Sequence, residues 1–457
     1  VIVRNLQQYF PLVSQYTELK SQENRILRVA YLQGNLVQNV KNSTRGISAR
    51  VYRNGCWGFA STPDMTDVKK VIQEATDNAI FLDAREQKGL APFASDSPVL
   101  EKNFGTKKPR LGQKEIMDFT KEVDSYIAGK YPKLSSRQVS LNCLDMEKTL
   151  ITSDGASLYS LLPRSTFVVS LSIDKDGDTV EVYNLAGGQG QFEDNFASPE
   201  DLYPMIDELY EHLVRKSEGV YAKAGLKDCI LDPDLAGILA HEAIGHTTEA
   251  DFVLGGSVAT EYLNKQAASP LVTLVDFAHS YNGETLPMPI YIDDEGTEAR
   301  DVVIIEQGIL KNYMHNKQTA RHFGVKPDGN ARAYQYHDEP LIRMRNTAIL
   351  PGTSKLEDMI ASIEDGYYLV KSSNGQADTT SEFMFGVVLG YEIKNGKLAK
   401  AIKDLTISGV AFEVLQHVTM VSDDMSWSCG GMCGKKQMIP VGMGGPALKT
   451  KVNIGGR

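Results

Sequence analysis

Three things are scarce in this chain, and each scarcity removes a class of protein. Cysteine comes first: Cys56, Cys143, Cys229, Cys429 and Cys433 are the only five in 457 residues. The number is odd and far too small for a disulfide-stapled secreted scaffold. A reducing compartment, the cytoplasm, is expected, with thiols free for core packing or metal ligation. Long apolar runs are missing as well. None approaches the roughly 18 residues needed to span a bilayer, so no membrane partner is expected. Nor is there an excess of positive charge: 48 Lys and Arg against 58 Asp and Glu give a formal net charge of −10. That balance disfavours direct binding to nucleic acid or anionic lipid. No internal repeat or low-complexity tract stands out, and the chain opens on Val1, so an N-terminal segment that is removed or precedes it is allowed for. The remainder reads as ordinary globular protein, 42% hydrophobic and 23% charged. Its length suits two or more domains, each able to bury its own core.

The first half alternates hairpins and helices. RILRVAYLQG (25–34) and GISARVYRNGCWGFA (46–60) read as strands, the second folding back at an Asn54-Gly55 turn. Thr62-Pro63-Asp64 is a start signal for a helix whose apolar face is Met65, Val68, Val71, Ile72, Ala75 and Ala79. A polar connection from Ser95 to Pro109 leads to a second amphipathic helix carrying Ile116, Phe119, Val123 and Ile127. STFVVSLSI (165–173) is a further strand. Gly187-Gly188-Gln189-Gly190 lacks the Lys-Ser/Thr ending of a phosphate cradle and reads as a flexible turn. Ser198-Pro199 opens a third helix. The polar stretch 216–225 is the expected domain junction, dividing residues 1–216, an α/β-type domain of hairpins and helices, from residues 226–457, a β-rich domain. The fold class is therefore α+β with two domains. In the second half LVTLVDF (271–277), PIYIDDEG (289–296), DVVIIEQGILKNYM (301–314) and FMFGVVLGYEIKNGKLAKAI (383–402) read as strands, interrupted by one helix over 355–363.

At the head of that second half stands His241-Glu242-Ala243-Ile244-Gly245-His246. Leu235, Ile238 and Leu239 recur upstream at helical spacing, with Asp234 as the expected N-cap behind Asp232-Pro233. Two imidazoles flanking a carboxylate on a helix suggest a metal site with an adjacent base. The spacing is i to i+5, however, and in a regular α-helix those side chains diverge by about 140°. A wider, π-like turn returns them to one face, and Gly245, a poor helix former, is expected to ease it. Two core histidines placed together by chance are the alternative.

Several further segments, taken with this one, resemble the TldD/PmbA family, described as modulators of DNA gyrase and as metallopeptidases. They are RGISARVYRNGCWGFAST (45–62), the segment around Ser153-Asp154-Gly155, DDEG (293–296), GNARA (329–333), RMRNT (343–347), GYEIKNGK (390–397) and GMCGKKQMIPVG (431–442). The His-Glu-x-x-x-His segment marks the TldD-like branch. The resemblance implies zinc held by His241, His246 and Cys433, the Cys of the Cys-Gly-Lys block, in preference to Cys429, Glu249 or Asp251. A catalytic zinc keeps a fourth position open. Glu242 is then the general base, taking a proton from water and returning it to the leaving amine. The family commonly has a Gly before the Gln of this block, where here Lys435-Lys436-Gln437 runs without it. For oxyanion or substrate contacts, Asn330, Arg332 and His315 are candidates by residue type alone; Arg332 and Arg343 read equally well as structural ion-pair partners.

The leading function is thus a zinc peptidase for unfolded or flexible peptides, working as a homodimer or as a heterodimer with a PmbA-like paralogue. An exposed sheet edge is expected to capture the substrate main chain. The gyrase connection is then indirect. Alternatives are a non-catalytic scaffold with a structural zinc, and a small-molecule hydrolase.

Overall fold

The structure, a computed structural model, describes residues 2–91, 93 and 96–455. The first residue of the expected Ser95–Pro109 connection falls outside them. The chain is an α+β protein of two domains. Its N-terminal sheet is built from unusually long strands, β1 (Tyr16–Leu32), β2 (Asn35–Arg53), β5 (Ser136–Thr152) and β6 (Ser157–Lys175). Shorter strands complete it: β3 (Cys56–Thr62), β4 (Val99–Asn103) and β7 (Asp178–Gln189). The order is β3-β2-β1-β5-β6, with β4 and β7 both pairing with β6. Asn54 and Gly55 carry positive φ, as an Asn-Gly hairpin turn requires. Helix α1 (Val68–Glu86) buries Val68, Val71, Ile72, Ala75 and Ala79 against Leu19, Ile47 and Val51 of β1 and β2. Helix α2 (Gln113–Lys130) and the helix Tyr203–Ser217 cover the other end of the sheet, over Val29, Val139, Leu141 and Phe167.

The Gly187–Gly190 stretch is not a flexible turn. Gly187 to Gln189 are the last residues of β7, in register with Thr166, Ser165 and Arg164 of β6. A Cβ on Gly187 would lie 2.3 Å from the Ser165 carbonyl oxygen and 2.6 Å from the Phe196 ring, so close approach explains the glycine.

The hydrophobic core under α2 ends at Leu213, and that of the second half begins at Ala222. There β8 (Gly225–Leu231) lies between the strands Asp365–Ala377 and Leu448–Gly455. Leu448–Gly455 pairs with Leu405–Val410, which pairs with Glu382–Lys394, which pairs back onto Asp365–Ala377. The ring of five strands closes on itself, leaving no free edge within it. A second sheet orders Ile309–Leu310, Val302–Glu306, Leu274–Phe277, Asn346–Ile349, Gly442–Gly445 and Ser426–Ser428. The helix beginning at Pro233 runs between ring and sheet, burying Leu235, Ala236, Leu239, Ala240, Ala243 and Ile244 among Leu369, Phe385, Leu274 and Ile349.

Three expectations need correcting. PIYIDDEG forms a loop rather than a strand, because Asp293 and Asp294 turn inward to accept backbone N–H groups of Glu295, Thr297, Ala331 and Ala333. The helix Leu356–Ala361 is not alone in the second half, since Lys317–Phe323 and Ala411–Gln416 are helical too. Asp232, not Asp234, caps the helix that leads to the histidines, accepting from the Asp234 N–H, with Pro233 at the first helical position.

Candidate metal centre

From Leu239 to Gly245 the helix widens into a π-helix. The extra residue per turn returns His241 and His246 to one face, and their rings stand 5.3 Å apart, edge to face. Gly245 contributes differently from expectation. Its φ of −56° is ordinary helix, but a Cβ there would lie 1.9 Å from the Met344 sulfur. The missing side chain lets the helix press onto the segment Arg343–Asn346.

Cys433 arrives from the far end of the chain. Its Sγ lies 3.3 Å from His246 Nε2, and one donor atom from each of His241, His246 and Cys433 falls within 4.8 Å of the others. His241 is 1% exposed, and neither of its ring nitrogens has a hydrogen-bond partner. A buried orphan nitrogen within 4.8 Å of a thiol and a second imidazole is costly unless something binds it. The set of two imidazoles and a thiolate is of the type that holds zinc. Burial works to raise the Cys433 thiol, but the adjacent imidazoles of His241 and His246 overcome it and bring it down to about 3.

The supports are extensive, and residue type alone did not reveal them. His246 Nδ1 lies 3.2 Å from Glu249 Oε2, which turns Nε2 toward Cys433. Burial works against protonating His246, but Glu249 and Cys433 hold its pKa well above the usual histidine value. Glu249 is fully buried and is in turn paired with Lys435 Nζ at 2.9 Å, while Lys435 also reaches Asp251 at 2.7 Å. Glu249 and Asp251 therefore act behind the donor cluster, outside it. Arg343, fully buried, donates to the carbonyls of Cys433 (2.7 Å), Lys435 (2.9 Å) and Gln437 (2.9 Å) and so fixes the loop that carries the thiol.

Glu242 lies on the open side. Its Oε2 is 3.7 Å from His246 Nε2, and the side chains of His246 and Glu242 keep 18% and 25% exposure. His241 and Cys433 are closed off at 1% each, so the cluster is approached past Glu242 and His246. The three oxyanion candidates are engaged elsewhere. Arg332 donates to the carbonyls of Met344 and Pro440, and Asn330 to Asp276 and the Arg343 carbonyl. His315 is buried beside Thr319, its pKa pushed down to about 4 by burial. Arg332 and Arg343 hold carbonyl oxygens, while Arg345 forms a buried ion pair with Asp276 at 2.9 Å. Cys429 donates to the Gly187 carbonyl at 3.1 Å and stands apart from the cluster.

Fold and donor set together define a two-domain α+β protein with a three-donor site of metal-ligand type. Comparison with known proteins narrows this. The PmbA/TldA metallopeptidase C-terminal domain matches residues 225–456, and domain 1 of the same family matches residues 18–79. The zinc metalloprotease TldD homolog of Saccharolobus solfataricus is 32% identical over 90% of this chain and 90% of its own. The metalloprotease TldD homolog of Buchnera aphidicola is 34% identical over 91% of this chain and 87% of its own. Among solved structures, TM0727 of Thermotoga maritima superposes with a TM-score of 0.80 at 20% identity, covering 98% of this chain and 99% of that one. TldE from Thermococcus kodakarensis gives 0.74 at 16% identity, covering 99% of both. The chain belongs to the TldD/PmbA family of metallopeptidases, on its TldD-like branch.

Proposed function

We propose that this protein is a zinc-dependent peptidase that cleaves unfolded or flexible polypeptides. The observation that carries the reading is a buried, unpartnered His241 nitrogen within reach of His246 and Cys433, with Glu242 at the cluster's open side. A structural zinc closes with four protein ligands, whereas the described residues supply a group of three.

When bound, zinc would polarise the scissile carbonyl and acidify the attacking water. His241, His246 and Cys433 would hold it, with Glu249 fixing the ring of His246 and Arg343 fixing the backbone of Cys433. Glu242 takes the proton of the attacking water and delivers it to the leaving amine. Because two of the three donors are fully buried, a substrate has to reach the recess along the Glu242 side. A chain without tertiary structure can do so where a folded surface cannot. By family resemblance, the working form is a homodimer or a heterodimer with a PmbA-like paralogue. The net charge of −10 disfavours direct binding to DNA, and no described helix is long and apolar enough to cross a bilayer.

The test is metal analysis of the purified protein together with cleavage of an unstructured peptide and of the same sequence in a folded domain. One zinc per chain, cleavage of the unstructured form alone, and its loss on chelation are expected. A zinc-loaded protein inert toward peptide, even with the PmbA-like partner present, would overturn the peptidase reading in favour of a scaffold.

A further inference from the structure

The segment that brings Cys433 to the centre belongs to the C-terminal domain, yet it is pinned to the N-terminal sheet. After the strand Ser426–Ser428 the chain passes the end of β7 and the middle of β6. Cys429 donates to the Gly187 carbonyl, and its Sγ would sit 3.7 Å from a Cβ on Gly188. Gly430 passes so close to β7 that a Cβ would meet Leu185 Cδ1 at 2.7 Å. Arg164 of β6 then donates from Nη1 to the Gly431 carbonyl at 3.2 Å. That carbonyl also accepts the Val441 N–H at 3.1 Å. Two residues later comes Cys433, whose own carbonyl is held by Arg343. The ligand loop is thus gripped on both sides, by Arg343 within its domain and by Arg164 from the other.

We infer that Arg164 is a positioning residue for the metal centre: it holds the 429–432 strap on the N-terminal sheet so that Cys433 reaches His241 and His246. The N-terminal domain then completes the zinc site without supplying a ligand. The inference rests on the zinc reading of the cluster.

The test compares zinc dissociation constants, measured by competition with a chromophoric chelator, alongside thermal unfolding of the metal-free proteins. Arg164→Met keeps the aliphatic stem and removes the donors. Loss of such an outer support typically weakens metal binding by about 10- to 100-fold, and that range is expected here. Arg164→Lys, with one donor left, should recover part of the loss. Tyr183→Phe serves as control, since it removes a different interdomain hydrogen bond, from the Tyr183 hydroxyl to the Ser372 carbonyl, and should leave zinc affinity unchanged. If Arg164→Met does not fold, Arg164→Gln decides, because its shorter side chain withdraws the guanidinium donor from the Gly431 carbonyl and should weaken zinc comparably. Wild-type affinity in folded Arg164→Met or Arg164→Gln would overturn the inference. A wild-type protein that binds no zinc would instead overturn the metal reading itself.

Discussion

Cys429 and Cys433 are both buried thiols, and only their surroundings separate them. Cys433 faces two imidazoles, whereas Cys429 faces a carbonyl oxygen that a hydroxyl could serve equally well. Replacing Cys433 with Ser exchanges a soft anionic donor for a neutral hydroxyl and should sharply lower zinc occupancy. Cys429→Ser should retain zinc. Metal content of the two purified variants checks this, and the reverse outcome would reassign the third donor. The sequence made the two histidines and Glu242 legible through their spacing, and the Cys-Gly-Lys block pointed to Cys433 by resemblance. Glu249, three residues beyond His246, was open to view as a carboxylate on the same turn, but its place behind the ring depends on Lys435, 186 residues on. Arg343 was legible as part of the RMRNT block and as a structural residue, but its hold on the backbone carbonyls of Cys433, Lys435 and Gln437 was not, since no motif encodes it. Residue type singled out Asn330, Arg332 and His315, whose polar groups here meet Asp276, backbone carbonyls and Thr319.

Among the elements, the helix through the histidines carries most of the consequence. Its widening at Leu239–Gly245 was foreseen from the i to i+5 spacing, but the role of Gly245 came only with the packing of Met344. Gly245→Ala should be destabilising even though alanine is the better helix former. Its methyl group meets the Met344 sulfur in a closed core, and overpacking of this kind costs about 1–3 kcal/mol. Thermal or denaturant unfolding measures it, and Met344→Ala should relieve part of the cost in a double-mutant cycle. Additive effects of the two changes would contradict the contact. Strand alternation and Asn-Gly turns located β1, β2, β3, β6 and the strands Leu274–Phe277, Val302–Glu306 and Glu382–Lys394, but not β5, β8 or Leu448–Gly455. They failed at 289–296, where Ile290 and Ile292 alternate as in a strand while Asp293 and Asp294 are spent on backbone N–H groups of the loop.

Over the whole molecule, the two domains are joined by buried charge that no local pattern announces. Arg50 of β2 pairs with Glu18 of β1 at 3.4 Å and with Glu295 of the C-terminal domain at 2.6 Å. Lys317 reaches the Tyr16 hydroxyl at 2.7 Å, and Lys148 reaches Asp294 at 2.9 Å. The partners that cross between the domains are more than 140 residues apart in sequence, so only the folded chain reveals them. Burial, reinforced by Glu295 and opposed by Arg50, raises Glu18 to about 7. Asp293 is likewise raised to about 7, by burial and Glu295. A carboxyl whose folded pKa exceeds its unfolded value favours the folded state most below the unfolded value. That contribution is lost as pH rises through the folded one. Stability of the metal-free protein should therefore contain a component that declines between about pH 4.5 and 7, on the order of 1–3 kcal/mol for Glu18. Glu18→Gln should flatten that slope in denaturant unfolding at a series of pH values. An unchanged slope would remove Glu18 from the account.

The central claim, that this is an enzyme whose base is Glu242, is tested most directly by one variant in one assay. Glu242→Gln preserves volume and polarity but cannot take a proton from water. The zinc-loaded variant should keep the wild-type metal content and unfolding profile and bind an unstructured peptide. It should cleave that peptide about 10²- to 10⁴-fold more slowly, the usual worth of general-base assistance. Cleavage by Glu242→Gln at the wild-type rate would contradict the account.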